Sequence, residues 1–129
     1  MLKTAALLFG VVFLVVGILG FVPAANPNQM LLGIFHVNTA HNIVHLLSGV
    51  LALWAGSSSG AYARLYFRLF GIVYAVVALL GFLAGNGMVL GVISNNMPDT
   101  ALHVVIALVA LSLGFLVKEQ AAAAPKPAA

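Results

Sequence analysis

The stretch Leu8–Phe21 reads LFGVVFLVVGILGF, and Leu69–Phe82 reads LFGIVYAVVALLGF. Nine of the fourteen positions are identical at an offset of 61. Shared Leu and Val are cheap in apolar sequence, but a Phe-Gly opening and a Gly-Phe close in both strings are not. After a three-residue gap the correspondence resumes at an offset of 58, where Asn28, Met30, Leu32, Gly33, Asn38 and His45 fall on Asn86, Met88, Leu90, Gly91, Asn96 and His103. The chain therefore reads as two tandem helix–loop–helix units, about 4–56 and 64–117.

The solvent these units need follows from composition. Hydrophobic residues make up 64% of the 129 and charged residues 5%, where a soluble domain carries about a quarter charged. So few charges cannot cover a surface that faces water, and a lipid bilayer must solvate most of it. The five basic residues form no cluster able to track phosphates, which argues against nucleic acid as a partner. With no cysteine, disulfides, thiolate metal sites and Cys nucleophiles are excluded together.

A spanning helix needs about 20 largely apolar residues, and four stretches qualify: Thr4–Val22, Thr39–Ala55, Leu65–Ala84 and Thr100–Val117. Between them stand breakers: Pro23 to Pro27, the run from Gly56 to Gly60, and Gly85 through Pro98. The expected fold is an all-α membrane protein, a four-helix transmembrane bundle made from two tandem helical hairpins. It forms a single domain over residues 1–118, and the Ala/Pro/Lys-rich residues 119–129 are expected to be a disordered cytoplasmic tail. Lys3, Arg64, Arg68, Lys118 and Lys126 all fall on one side of such a bundle, and residues 23–38 and 85–99 carry no Lys or Arg. The positive-inside rule then makes both termini cytoplasmic. A cleaved signal peptide over residues 1–24 is the competing reading, but the apolar run is longer than the usual core of about 7–15 residues. It also has a twin in the third span.

In the outer loops, Met30–Phe35 and Met88–Ile93 are short apolar runs beside turn residues. An axis along the membrane normal would pair one with the other as a two-stranded antiparallel ribbon on the outer face. Short interfacial helices are the alternative. At the other face, Trp54, Tyr62 and Tyr66 gather at the boundary, and Arg64 and Arg68 are expected to reach anionic headgroups.

Two matching strings carry the polar chemistry. Asn38-Thr-Ala-His41-Asn42-Ile-Val-His45 and Asn96-Met-Pro-Asp99-Thr-Ala-Leu-His103 share the form N-x-x-[H/D]-x-x-x-H. Spacing of four stacks His41 over His45, and Asp99 over His103, on one helix face. An imidazole turned to hydrocarbon is costly, so His41, His45, Asp99 and His103 are expected to face the bundle interior. One reading is structural: Asn38 and Asn96 are N-caps, Asp99 completes a capping box, and the histidines hydrogen-bond across helices, with Asn42 supporting them. A second takes His41, His45 and His103, with Asp99, as ligands of a divalent transition metal such as Zn²⁺, Cu²⁺ or Fe²⁺. His45 and His103 as axial ligands of a haem, and a proton or small-molecule path, are further options. His36, without a twin, is expected to be exposed.

At these motifs the chain resembles an uncharacterised bacterial family of small four-span membrane proteins known as a domain of unknown function. The resemblance rests on L-G-x-x-x-x-N-x-x-H-N-x-x-H, here Leu32 to His45, and on N-x-x-D-x-x-x-H, here Asn96 to His103. Many members have D-N where this chain has Asp99-Thr100. The resemblance implies a bacterial inner (plasma) membrane location and no particular activity. Three functions remain open: a non-enzymatic protein whose polar cluster is structural or binds a small partner, a metal- or haem-binding redox or sensory protein, and a subunit of a transporter or channel. Four short spans rarely enclose a path, so transport would require a homo-oligomer. Enzyme chemistry is least supported, with no Ser-His-Asp order, acidic pair or phosphate loop. A topology reporter fused at residue 59 is expected to read cytoplasmic and one at residue 27 is not; the reverse pattern would refute the orientation.

Overall fold

A computed structural model describes residues 1–118 and Ala128. The expected disordered tail lies outside the described residues, apart from its isolated Ala128. Helix α1 (Leu2–Leu19) leads through a loop to strands β1 (Met30–Leu31) and β2 (Phe35–His36), then to helix α2 (Thr39–Ser58). The order recurs as α3 (Gly60–Ala84), β3 (Met88–Val89), β4 (Ile93–Ser94) and α4 (Met97–Leu111), the last continued by a wide π turn over Ser112–Leu116. The protein is an all-α four-helix bundle carrying two small hairpins at one end.

Among the described residues, three segments are long and apolar enough to cross a membrane: Leu2–Leu19, Gly60–Ala84 and Met97–Leu116. Helix α2 matches them in length but carries His41, Asn42, His45 and Ser48, all buried inside the bundle. Its outward face is Ile43, Val44, Leu47, Val50, Leu51 and Trp54, all exposed. Average hydropathy thus understates how apolar the surface of α2 is. The other helices likewise turn large side chains such as Leu8, Val12, Leu69 and Val73 outward. Inside, the bundle packs Ala6, Ala52, Ala55, Ala63 and Ala110 around Leu2, Tyr66 and Phe67. Small residues inside and large ones outside is the pattern of helices that pack by close approach while lipid wets the rest.

Within each hairpin the helices meet along glycines. A Cβ placed on Gly49 would stand 2.9 Å from the Gly10 carbonyl oxygen and from the Leu14 nitrogen, so α1 and α2 touch backbone to backbone. Leu53 fills the space over Gly10, and Leu111 fills that over Gly71 in α3. The turn between α2 and α3 is one residue, Ser59, whose hydroxyl oxygen accepts the Tyr62 N–H at 3.1 Å. The serines expected to break the chain here instead extend α2. Ser57 and Ser58 donate their hydroxyls back to the carbonyls of Leu53 and Trp54 at 2.6 and 2.7 Å, a bond that keeps a serine helical.

The expected ribbon forms within each outer loop, not between the two. Met30 pairs with His36 and Leu31 with Phe35, while Met88 pairs with Ser94 and Val89 with Ile93. The reason lies in Leu32-Gly33 and Leu90-Gly91. Their φ values are 53°, 70°, 53° and 69°, and Ile34 and Val92 each donate to the carbonyl three residues back, Leu31 and Val89, at 3.1 Å. Positive φ at both central residues makes a turn tight enough to reverse a strand on itself.

The left-handed conformation disfavours a branched side chain by about 1 kcal/mol, so Leu32→Asn and Leu90→Asn are expected to raise the melting temperature in detergent. Gly49→Ala is expected to lower stability by about 1–3 kcal/mol. A Gly49→Ala protein as stable as the parent would show that α1 and α2 are not in backbone contact.

Candidate functional site

The hairpin end of the bundle is organised by the two cap asparagines. Asn38 Oδ1 accepts the His41 N–H, and Asn96 Oδ1 accepts the Asp99 N–H, each at 3.0 Å. Each amide then reaches across the molecule. Asn38 Nδ2 donates to the Val92 carbonyl in the second hairpin, and Asn96 Nδ2 to the Ile34 carbonyl in the first, both at 2.8 Å. Asp99 closes a capping box by accepting the Asn96 N–H at 2.9 Å on Oδ2, which also accepts the His36 N–H at 3.1 Å. Asn42 Nδ2 donates to the Gly20 carbonyl at 2.9 Å, and a Cβ on Gly20 would overlap the Asn42 side chain. On the other side Thr100 and Asn95 pack over Gly81 in the same manner. The Gly of each Gly-Phe string thus makes room for a polar side chain from the partner helix.

Beneath this layer three imidazoles converge. His41, His45 and His103 are 2%, 7% and 4% exposed. The His41 ring centroid lies 4.5 Å from that of His45 and 5.7 Å from that of His103. One ring nitrogen from each lies within 4.8 Å of the other two. His41 Nδ1 faces two carbonyl oxygens, Ser94 at 2.8 Å and His36 at 3.2 Å. A carbonyl only accepts, so the proton sits on Nδ1 and leaves Nε2 a bare lone pair. That Nε2 is buried without a hydrogen-bond partner, as are Nδ1 of His45 and Nδ1 of His103.

The expected site residues therefore divide. His41, His45 and His103 come together; Asn38 and Asn96 cap and strap; Asn42 pins α2 to α1. Asp99 is in the capping box and is not one of the three converging donors. His36 is half-buried, not exposed, and both its backbone polar groups enter the network. Arg64 and Arg68 differ from expectation too. Arg64 Nη1 donates to the Val117 carbonyl at 2.8 Å and Arg68 Nε to that of Gly114 at 2.9 Å. They satisfy the carbonyls that the end of α4 leaves open. Four participants escaped sequence reasoning: Ser94 and Asn95, hidden beside the more legible Asn96, and Ser48 and Tyr74 further down. Tyr74 lies 5.5 Å from His103, ring to ring. Ser48 donates to the Val44 carbonyl at 2.7 Å, so at the 3.3 Å contact Tyr74 is the donor to Ser48 Oγ.

A haem between His45 and His103 would need more room than the cavity between α2 and α3 offers. The rings share one compact space, and the cavity beside them holds about 200 Å³, below the about 300–1,000 Å³ of small-molecule sites. A single ion needs no cavity of that size. Nitrogen donors around a tetrahedral ion at about 2.1 Å stand roughly 3.4 Å apart, and the ring nitrogens here lie within 4.8 Å of one another.

Residues 3–116 match the model of a family described as a domain of unknown function (DUF4383). No curated protein and no solved structure matches the chain.

Removing a cap and removing a donor should have opposite effects on the metal-free protein. Asn96→Ala deletes the cap and the cross-strap and is expected to lower stability by about 1–2 kcal/mol. His103→Leu deletes a buried ring nitrogen that has no hydrogen-bond partner and is expected to leave the melting temperature unchanged or raised. A fall with His103→Leu as large as that with Asn96→Ala would make the imidazole a structural group.

Proposed function

We propose, for a chain that belongs to the DUF4383 family, that it is a four-span protein of the bacterial inner membrane whose His41, His45 and His103 bind one transition-metal ion near the outer face. The observation that carries this reading is the convergence of three buried imidazoles, each with one ring nitrogen that has no hydrogen-bond partner, and with one nitrogen of each ring within 4.8 Å of the other two. Each such group costs about 1–3 kcal/mol of desolvation when nothing satisfies it. Three buried rings brought this close would be hard to retain as packing alone, and a cation is the ligand that converging imidazole nitrogens suit. The His41 contact to Ser94 supports it further, because a backbone carbonyl that fixes the Nδ1 proton is the usual way an imidazole is held with its other nitrogen on a metal.

The four crossings rest on α1, α3, α4 and the apolar outer face of α2. A cytoplasmic side for both termini is supported by Lys3, Arg64, Arg68 and Lys118, with no Lys or Arg in residues 23–38 or 85–99. The matching strings and the matching contacts over Gly20 and Gly81 support an origin by duplication. The Asn and Asp side chains form the frame of the site, and the three imidazoles are its chemistry. Three neutral nitrogen donors leave a coordination position for an exogenous ligand, the arrangement of a reactive or sensory centre more than of a purely structural ion.

Metal analysis of protein purified in detergent and reloaded with zinc, copper or iron is expected to find one ion per chain. Binding should fall at least tenfold in His41→Ala, His45→Leu and His103→Leu, and remain in Asp99→Asn. Protein that takes up no metal above background would overturn this reading.

A further inference from the structure

The three imidazoles are shut off from water at the outer end. The hairpins lie over them, with Leu31, Val37, Val89 and Ser94 at most 3% exposed. The sides are different. A groove of about 200 Å³ runs between α2 and α3 and reaches His41, His45 and His103 past Leu47, Leu51 and Val73. A second, of about 320 Å³, runs between α1 and α4 and reaches His45 past Leu8, Val12 and Leu102. Leu47, Leu51, Val73, Leu8, Val12 and Leu102 are all exposed on the lipid-facing flank. The two grooves use corresponding walls, for Phe9, Val12, Phe13 and Val16 line one where Phe70, Val73, Tyr74 and Val77 line the other.

Among the described residues, no Lys, Arg, Asp or Glu lines either groove. The hydroxyl of Ser48 is engaged by Val44 and Tyr74. Between lipid and the ring nitrogens there is thus no side-chain group to solvate an ion or to orient a polar substrate. The charge of the centre points the same way. Three neutral donors with no carboxylate among them leave the full charge of a bound ion in apolar surroundings. The solvation penalty grows with the square of that charge, about four times larger for a divalent than for a monovalent ion. Among metals suited to imidazole, copper has the monovalent state.

We propose that the centre holds copper(I) and takes its further ligand, a neutral diatomic molecule such as dioxygen, nitric oxide or carbon monoxide, sideways from the bilayer interior through these two grooves. The inference rests on the metal reading of the same histidines. Such molecules concentrate in hydrocarbon, carry no charge, fit the grooves with room to spare, and bind a three-nitrogen copper(I) ion at its remaining position. Water-borne anions meet the hairpins on one side and lipid on the other.

The test uses the full chain in lipid nanodiscs, loaded anaerobically with copper(I), with carbon monoxide as the probe and infrared absorption as the readout. One carbonyl band per copper is expected, absent in His103→Leu. The paired substitution Val12→Trp and Val73→Trp, one in each groove and both at exposed positions, is expected to slow binding at least tenfold with copper content and melting temperature unchanged. Each single variant should slow it less. The charged chelator bathocuproine disulfonate, which cannot cross lipid, should remove copper from intact nanodiscs far more slowly than from detergent-solubilised protein. Copper bound with no carbonyl band, or a rate unchanged in the double variant, would overturn the lateral route and leave metal binding standing. Zinc retained in preference to copper(I) would overturn the assignment of the ion. Failure to bind any metal would remove the reading beneath both.

Discussion

Two asparagine amides hold the outer end of this bundle together by reaching into each other's half. In a bilayer no water is at hand to satisfy a stray carbonyl, so every loop near the hydrocarbon must find its partners inside the protein. The tips of the two hairpins have open carbonyls at Ile34 and Val92, and these are met by Asn96 and Asn38 respectively. The same two side chains cap the helices that follow the hairpins. One residue type therefore fixes where α2 and α4 begin, how the hairpins lie over them, and how one half registers on the other. The placement of His41 and Asp99 on the first turn of their helices follows from that, and so does the depth of His45 and His103 one turn further in.

The inner packing depends on the same economy of space. Glycines let α1 meet α2, and α3 meet α4, at backbone distance, while aromatic rings fill the seam between the halves. Tyr66 stacks on Phe70 at 4.2 Å, and Phe13 and Tyr74 stand 5.6 Å apart beside the histidines. The halves are thus close-packed within and joined by larger rings, and the grooves open at that wider seam.

Much of this was legible in the sequence. The helices, the caps at Asn38 and Asn96, the capping box at Asp99 and the inward histidines all follow from local rules of spacing and burial. What was not legible depends on pairings between distant segments. The hairpins closed on themselves because Leu32 and Leu90 adopt a conformation that leucine rarely takes, which no propensity scale anticipates. Arg64 and Arg68 found the end of α4, some fifty residues away, where a sequence shows only two basic residues near a boundary. Helical spacing groups Asp99 with the histidines, but its carboxylate turns to backbone N–H groups that spacing alone does not reveal.

Under the proposed metal reading, the unlike residues at corresponding positions 41 and 99 have a consequence for coordination number. A scaffold of two matched halves supplies ligands in pairs, and two strict copies would offer two donors or four. Here one half presents His41 to the centre and the other turns Asp99 to its own helix start and to His36. The mismatch breaks the pairing and yields an odd set of three imidazoles. An even-fold architecture thereby acquires a front and a back, and an ion held there, as proposed, would have only one side committed to protein.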